Sequence, residues 1–152
     1  YGLAADQTFS TNQVIEIFRQ KTAPAFGVSL LLGAIAADAG GEVLDVLQRF
    51  SESLGVAYQI KDDLEEYISG EAEELRASIL LAIANDQKPL QRLKSSSPNL
   101  KHIFDELMVV EKAAQLLEHY KNDAVRSLNA LNDAALKSWL NRITFKMLGG
   151  TP

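Results

Sequence analysis

The abundance of leucine and alanine is the feature that most limits how this chain can fold. The 152 residues include 22 leucines and 19 alanines, against 22 residues of valine, isoleucine and threonine together. Leucine and alanine are strong helix formers, whereas β-branched residues favour strands. No Asn-Gly or Asp-Gly pair offers the tight turn of a β-hairpin. The composition therefore predicts an all-α protein.

The chain length and the net charge further limit the kind of protein that this sequence can encode. A chain of 152 residues fits a single domain, here residues 1–152. Its net charge of −5 argues against a nucleic-acid-binding surface. The absence of cysteine excludes thiolate metal sites and thiol nucleophiles, and it suits the cytoplasm. The longest stretch without charge, Ala23–Ala37, is shorter than the ~20 residues of a membrane span, so we expect a buried helix there.

The spacing of apolar residues and of helix breakers predicts seven helices. Ser10 and Gln13 have the spacing of a capping box, and Pro24 predicts a kink near Lys21 and Thr22. The predicted helices run from Ser10 to about Thr22, on to about Asp38, and then over Glu42–Ile68, Glu71–Asn85, Asn99–Met108, Val110–Leu131 and Ala134–Leu148, with Gln87–Pro98 as a loop around a short Leu90–Leu93 turn.

Three further expectations concern the ends and faces of these helices. The Gly40-Gly41 pair is expected to end the second helix. In the third, apolar positions recur every three or four residues as far as Ile68, which predicts a buried face. In the last helix, Trp139 is expected to lie in the core beside Leu140.

The third helix also carries a polar stripe. At 100° per residue, five positions fall within about 100° of arc, opposite the apolar face. We call them the acidic stripe: Gly55, Gln59, Asp62, Asp63 and Glu66.

A solvated helix face is the simplest explanation of this stripe, but two observations argue against it. Asp62, Asp63 and Glu66 have no Lys or Arg three or four residues away, and they form like-charge pairs instead. They also lie in the last turns of the helix, where the dipole disfavours negative charge. A bound cation would compensate both effects. Carboxylates with this spacing suit Mg²⁺, which keeps water ligands and bridges to phosphates.

The run Gly55–Glu66, containing Tyr-Gln-Ile-Lys-Asp-Asp-Leu-Glu-Glu, resembles the second aspartate-rich motif of the trans-isoprenyl diphosphate synthases, also called polyprenyl synthetases. Upstream, Lys21-Thr22 resembles the Lys-Thr pair of that family, and residues 110–148 are similar to its closing helices. The resemblance implies the C-terminal portion of an antiparallel helical bundle of the isoprenoid-synthase type.

The resemblance also implies an activity. An allylic prenyl diphosphate would ionise with the help of Mg²⁺, and isopentenyl diphosphate would attack the resulting carbocation. Asp62, Asp63 and Glu66 would bind Mg²⁺, and Lys21 would contact the diphosphate. Thr22 and Gln59 would face the carbocation, with Tyr58 beside them in the substrate site. Taken alone, Lys21 could instead simply complement the dipole at the end of its helix.

The chain also departs from the family pattern. The first aspartate-rich motif and the isopentenyl diphosphate site would precede the first residue. Glu66 replaces an aspartate, and the segment Tyr67–Arg76 has no lysine where the family usually has a lysine-bearing loop. Three functions therefore stay open: part of a prenyltransferase, a non-catalytic subunit that pairs with an active synthase, or a helical interaction module. A homodimer, or pairing with a missing N-terminal half, is expected.

Overall fold

The computed structural model describes residues 9–70, 78–88 and 99–149. Within these ranges every regular element is helical, which confirms the predicted all-α class. The elements are α1 (Thr11–Lys21), α2 (Ala23–Ala36), α3 (Gly41–Ser69), α4 (Ile79–Gln87), α5 (Leu100–Glu106), α6 (Val109–Ser127), a 3-10 turn (Leu128–Ala130) and α7 (Ala134–Leu148). The predicted Leu90–Leu93 turn lies outside the described residues.

The first two helices meet at the predicted kink. The Ser10 hydroxyl accepts a hydrogen bond from the Gln13 backbone N–H at 3.3 Å, and the Gln13 side chain accepts one from the Ser10 N–H at 2.9 Å, so the capping box is confirmed. α1 ends at Lys21, and Thr22 stands between the two helices. Pro24 lies in the first turn of α2, where its missing N–H costs nothing.

α2 ends earlier than predicted, and not at the glycine pair. The N–H groups of Asp38 and Ala39 both donate back into its last turn at 3.0 Å, which is the hydrogen-bond pattern of a Schellman motif. Asp38 adopts the left-handed conformation, with φ of 54°, which short polar side chains tolerate. The prediction for Gly40 and Gly41 is wrong, because they are the N-cap and the first residue of α3.

α3 is the central helix, and α6 packs antiparallel along it. The first part of α3 packs on the last turns of α6, in a cluster that includes Phe50, Leu54 and Ala124. The second part packs on the start of α6 and on α1, in a cluster that includes Ile60, Val14 and Val109. These two clusters form the core, and the antiparallel arrangement agrees with the predicted bundle.

α4 begins later than predicted. Ser78 is its N-cap, with an extended backbone and a hydroxyl that accepts from the Leu81 N–H at 3.3 Å. The predicted continuous helix from Glu71 to Asn85 is therefore wrong, because residue 78 is the N-cap at which α4 begins. The earlier part of the predicted helix, residues 71–77, lies outside the described residues.

Two apolar side chains that were expected in the core are exposed. Ile68 is 73% exposed at the last turn of α3, and Trp139 is 54% exposed on α7. Each lies on a predicted apolar stripe, but in the described part of the chain neighbouring residues cover less than half of either one. Leu140, next to Trp139, is buried as predicted.

Among the described residues, no helix is both long and apolar enough to cross a membrane. α2 is apolar on all sides, yet α3 covers only one of them. Val28, Leu32 and Ile35, at helical spacing along the other side, are 54%, 61% and 60% exposed. The predicted burial of this segment is therefore confirmed on one face and wrong on the other.

Candidate active site

The acidic stripe lies on about the last four turns of α3, and its members differ in burial. Gly55 is buried, Gln59 and Asp63 are half-buried, and Asp62 and Glu66 are exposed. The helix then ends at Gly70, whose φ of 73° is a left-handed conformation that suits glycine. The stripe therefore passes from the interior of the protein to its surface as α3 approaches its C-terminus.

Asp62 and Glu66 form the exposed part of the stripe. They are one helical turn apart, and neither has a cationic partner within 4 Å in the part of the chain that the structure describes. By contrast, the exposed Glu65 on the neighbouring face pairs with Lys61 at 2.5 Å. Two uncompensated carboxylates at the negative end of a helix dipole form a surface that attracts cations.

Asp63 has a different environment, because its side chain points towards α4. Its Oδ2 accepts a hydrogen bond of 2.7 Å from the backbone N–H of Ile79, the first residue of α4. Burial raises the pKa of the Asp63 carboxyl to about 6, and the neighbouring Glu66 and Asp62 carboxylates add to the rise. The hydrogen bond from Ile79 opposes this shift by stabilising the charged form.

Lys21 and Thr22 lie at the junction of α1 and α2, with Lys21 exposed and Thr22 half-buried. α2 runs antiparallel along α3: near its start, Phe26 contacts Tyr58, whereas near its end Ala34 lines the same cavity as Val43. This direction carries the junction towards the C-terminal half of α3, where Gln59 lies. No side-chain hydrogen bond or salt bridge between described residues joins Lys21 or Thr22 to the acidic stripe.

Tyr58 packs against the core cluster that contains Phe50 and Leu54. Its ring meets that of Phe26, on α2, edge-on at a centroid distance of 5.9 Å. Tyr58 and Gln59 are both half-buried. Tyr58 thus lies on a part of α3 that α2 contacts, and the adjacent Gln59 belongs to the half-buried part of the acidic stripe.

Tyr58, Gln59 and the three carboxylates therefore lie together on α3, whereas no side-chain hydrogen bond or salt bridge among the described residues joins Lys21 or Thr22 to them. Among the described residues, no three histidine, aspartate or glutamate side chains are arranged to hold one metal ion. The lysine-free segment after the motif lies mostly outside the described residues, which resume at Ser78.

The sequence analysis did not identify two hydrogen bonds in which a carboxylate of one helix accepts from the first backbone N–H of another helix. Asp63 caps α4, and Asp86, near the end of α4, accepts a hydrogen bond of 2.9 Å from the N–H of Thr11, the first residue of α1. Ser78 was the available signal, because a serine ahead of an apolar run marks a helix start. Recognising Ser78 as an N-cap would have located the start of α4, but it would not have identified Asp63 as the acceptor for the Ile79 N–H.

Comparison with known proteins gives a consistent set of relatives. The model of the family described as "Polyprenyl synthetase" matches residues 3–79, which is half of the chain. The chain is 29% identical over 136 residues to farnesyl diphosphate synthase of Bacillus subtilis, covering 86% of this chain and 41% of that protein. It is 28% identical over 144 residues to heptaprenyl diphosphate synthase component 2 of the same organism, covering 82% and 41%.

Among solved structures, a geranylgeranyl pyrophosphate synthase superposes with a TM-score of 0.80 at 16% identity, over 95% of this chain and 53% of that one. At this level of identity the likeness concerns the fold, and it confirms the predicted isoprenoid-synthase type of bundle. The chain spans about half of that structure and 41% of each of the two curated relatives.

Proposed function

This chain belongs to the polyprenyl synthetase family, and on that premise we propose that it forms the C-terminal, diphosphate-binding portion of an enzyme that elongates isoprenoid chains. The substrates would be an allylic prenyl diphosphate and isopentenyl diphosphate. Residues 1–152 would contribute one all-α domain of that enzyme. The observation that supports this proposal most directly is the exposed pair Asp62 and Glu66, which has no cationic partner among the described residues.

The carboxylate oxygens of Asp62 and Glu66 suit Mg²⁺ as ligands. This ion is commonly held by one or two carboxylates, water and substrate phosphates, and two exposed carboxylates one turn apart provide that set. When bound, Mg²⁺ would neutralise charge on the departing diphosphate. Asp62 and Glu66 would hold the ion, within an acidic stripe that the family resemblance extends to Asp63.

The other site residues would act on the substrate directly. Lys21, exposed at the junction of α1 and α2, would contact the diphosphate with its ammonium group. Thr22 and Gln59 would direct hydroxyl and amide oxygens towards the developing positive charge. Tyr58, whose ring is held against Phe26, would line the substrate site beside them.

A prenyl-transfer assay tests this proposal. We expect the purified 152-residue chain to show no turnover of an allylic diphosphate with labelled isopentenyl diphosphate and Mg²⁺, because it spans only 41% of a related farnesyl diphosphate synthase. Activity should appear when a segment that supplies the first aspartate-rich motif is joined to it. Turnover by the chain alone would contradict the first expectation. An inactive joined protein would contradict the assignment as a catalytic portion.

A role in assembly is the second candidate function. The exposed apolar side of α2 fits packing against another helical surface, either a homodimer partner or the remainder of a larger synthase. One relative is named as component 2 of a heptaprenyl diphosphate synthase, so a synthase made of more than one component is found among proteins similar to this chain.

A further inference from the structure

The three carboxylates of the acidic stripe differ in what their oxygen atoms contact. Asp62 and Glu66 lie at positions four residues apart and are exposed. Asp63 is rotated by about 100° from Asp62 around the helix and points towards α4. There its Oδ2 lies 2.7 Å from the Ile79 nitrogen, a length typical of a charge-assisted hydrogen bond.

The donor in this bond needs an acceptor. Ile79 is completely buried, and its N–H is one of the first four of α4, which have no acceptor inside their own helix. The Ser78 hydroxyl satisfies a different donor of this terminus, the N–H of Leu81. If Asp63 turned outwards to a metal ion, it would leave the Ile79 N–H buried and unsatisfied.

The Asp63 contact also joins parts of the chain that are distant in sequence. It links positions 63 and 79, which belong to separate helices. At its other end, α4 is linked to α1 through Asp86 and the Thr11 N–H. A hydrogen bond between a carboxylate and a backbone N–H therefore joins each end of α4 to another helix: Asp63 of α3 accepts from the start of α4, and Asp86, near the end of α4, accepts from α1.

We propose that Asp63 anchors the N-terminus of α4 to α3 and does not bind metal, so that Asp62 and Glu66 are the only carboxylates of the acidic stripe that face Mg²⁺ and the diphosphate. The part that concerns metal rests on the proposed function, whereas the anchor stands on the Ile79 contact alone. Two separate measurements on the same variants are therefore needed.

The first measurement follows the Ile79 amide by NMR hydrogen exchange in the metal-free 152-residue chain. Asp63→Asn keeps an oxygen acceptor at the same position, so Ile79 should stay protected. Asp63→Ala removes the acceptor, and exchange at Ile79 should accelerate about tenfold or more. Unchanged exchange in Asp63→Ala would overturn the anchor. If Asp63→Ala does not fold, Asp63→Leu, which keeps a similar side-chain size without an acceptor, takes its place, and unchanged exchange at Ile79 in that variant would overturn the anchor.

The second measurement adds Mn²⁺, a paramagnetic substitute for Mg²⁺, together with inorganic pyrophosphate. Amide signals around residues 62–66 should broaden in the wild type and in Asp63→Asn, and the broadening should be lost in Asp62→Asn. Glu65→Gln, which removes an adjacent exposed carboxylate, is the matched control and should behave as the wild type. Equal loss in Asp63→Asn and Asp62→Asn would overturn the division of roles. No broadening in the wild type would refute the proposed metal site, while the exchange data would still decide the anchor.

Discussion

At the scale of single residues, Asp63 should make the stability of the protein depend on pH. Burial raises its pKa in the folded state to about 6, whereas the pKa of an unfolded aspartate is about 4. Between these values the folded carboxyl still holds its proton and the unfolded one has lost it. The contribution of the protonated Asp63 carboxyl to the free energy of unfolding is therefore complete below about pH 4. It is lost as the pH rises through about 6.

Urea unfolding in the presence of EDTA measures this effect. Relative to Asp63→Asn, the wild type should lose roughly 1–3 kcal/mol of unfolding free energy between about pH 4 and pH 7, allowing for the partial exposure of the group. Glu65→Gln should retain the wild-type pH profile. Parallel profiles for the wild type and Asp63→Asn would show that the environment of Asp63 does not perturb its titration.

Asp62 carries the second prediction at this scale. Asp62→Asn should abolish the rise in melting temperature produced by Mg²⁺ and pyrophosphate, because it removes one of the two exposed carboxylates. Without ligand, the variant should be as stable as the wild type or more stable by a few tenths of a kcal/mol, since it relieves like-charge repulsion at a helix C-terminus. Differential scanning fluorimetry measures both.

Lys61 provides the control for Asp62. It lies on the other side of α3, where it pairs with Glu65. Lys61→Gln should therefore leave the ligand-induced shift unchanged. A full shift in Asp62→Asn, or an equal loss in both variants, would mean that the exposed carboxylates are not the binding site.

At the scale of helices, one substitution should have opposite effects at two glycines. Gly33 lies within α2, where an added Cβ would have no atom within 4 Å. Gly33→Ala should therefore stabilise the protein by about 0.5–1 kcal/mol through helix propensity. Gly70 ends α3 with φ of 73°, so Gly70→Ala should destabilise it by about 1 kcal/mol. Chemical denaturation of both variants tests this, and equal signs would contradict it.

At the scale of the whole molecule, the exposed apolar side of α2 should drive association. Val28, Leu32 and Ile35 are each more than half exposed, and burying side chains of this kind contributes about 1.5–3 kcal/mol apiece. Leu32→Glu should weaken self-association at least about tenfold in sedimentation velocity and should lower the binding of a hydrophobic dye.

The matched control for Leu32→Glu is Gln115→Glu, which adds the same carboxylate at an exposed position of α6. It should associate as the wild type does. A wild-type chain that sediments as a monomer and binds no dye would show that α2 does not provide an interaction surface in this chain.

Local patterns in the sequence determined much of the secondary structure. The capping box at Ser10, the kink before Pro24 and the extent of α3 all follow from neighbours within about four residues, and the structure confirms each of them. The family motif is equally local, since Tyr58–Glu66 occupies two and a half turns of one helix. These features could be predicted because capping, proline geometry and helical periodicity act over one or two turns.

Only the tertiary structure decided which side chains meet another helix. A helical projection gives the angle between Asp62 and Asp63, but it does not show which side of α3 is covered by α4. It could therefore not predict that Asp62 is exposed and that Asp63 accepts a hydrogen bond from Ile79. Ile68 and Trp139 were misplaced for the same reason, because burial requires a neighbour as well as an apolar stripe. Contacts between residues distant in sequence depend on how the helices pack, and helical periodicity carries no information about that packing.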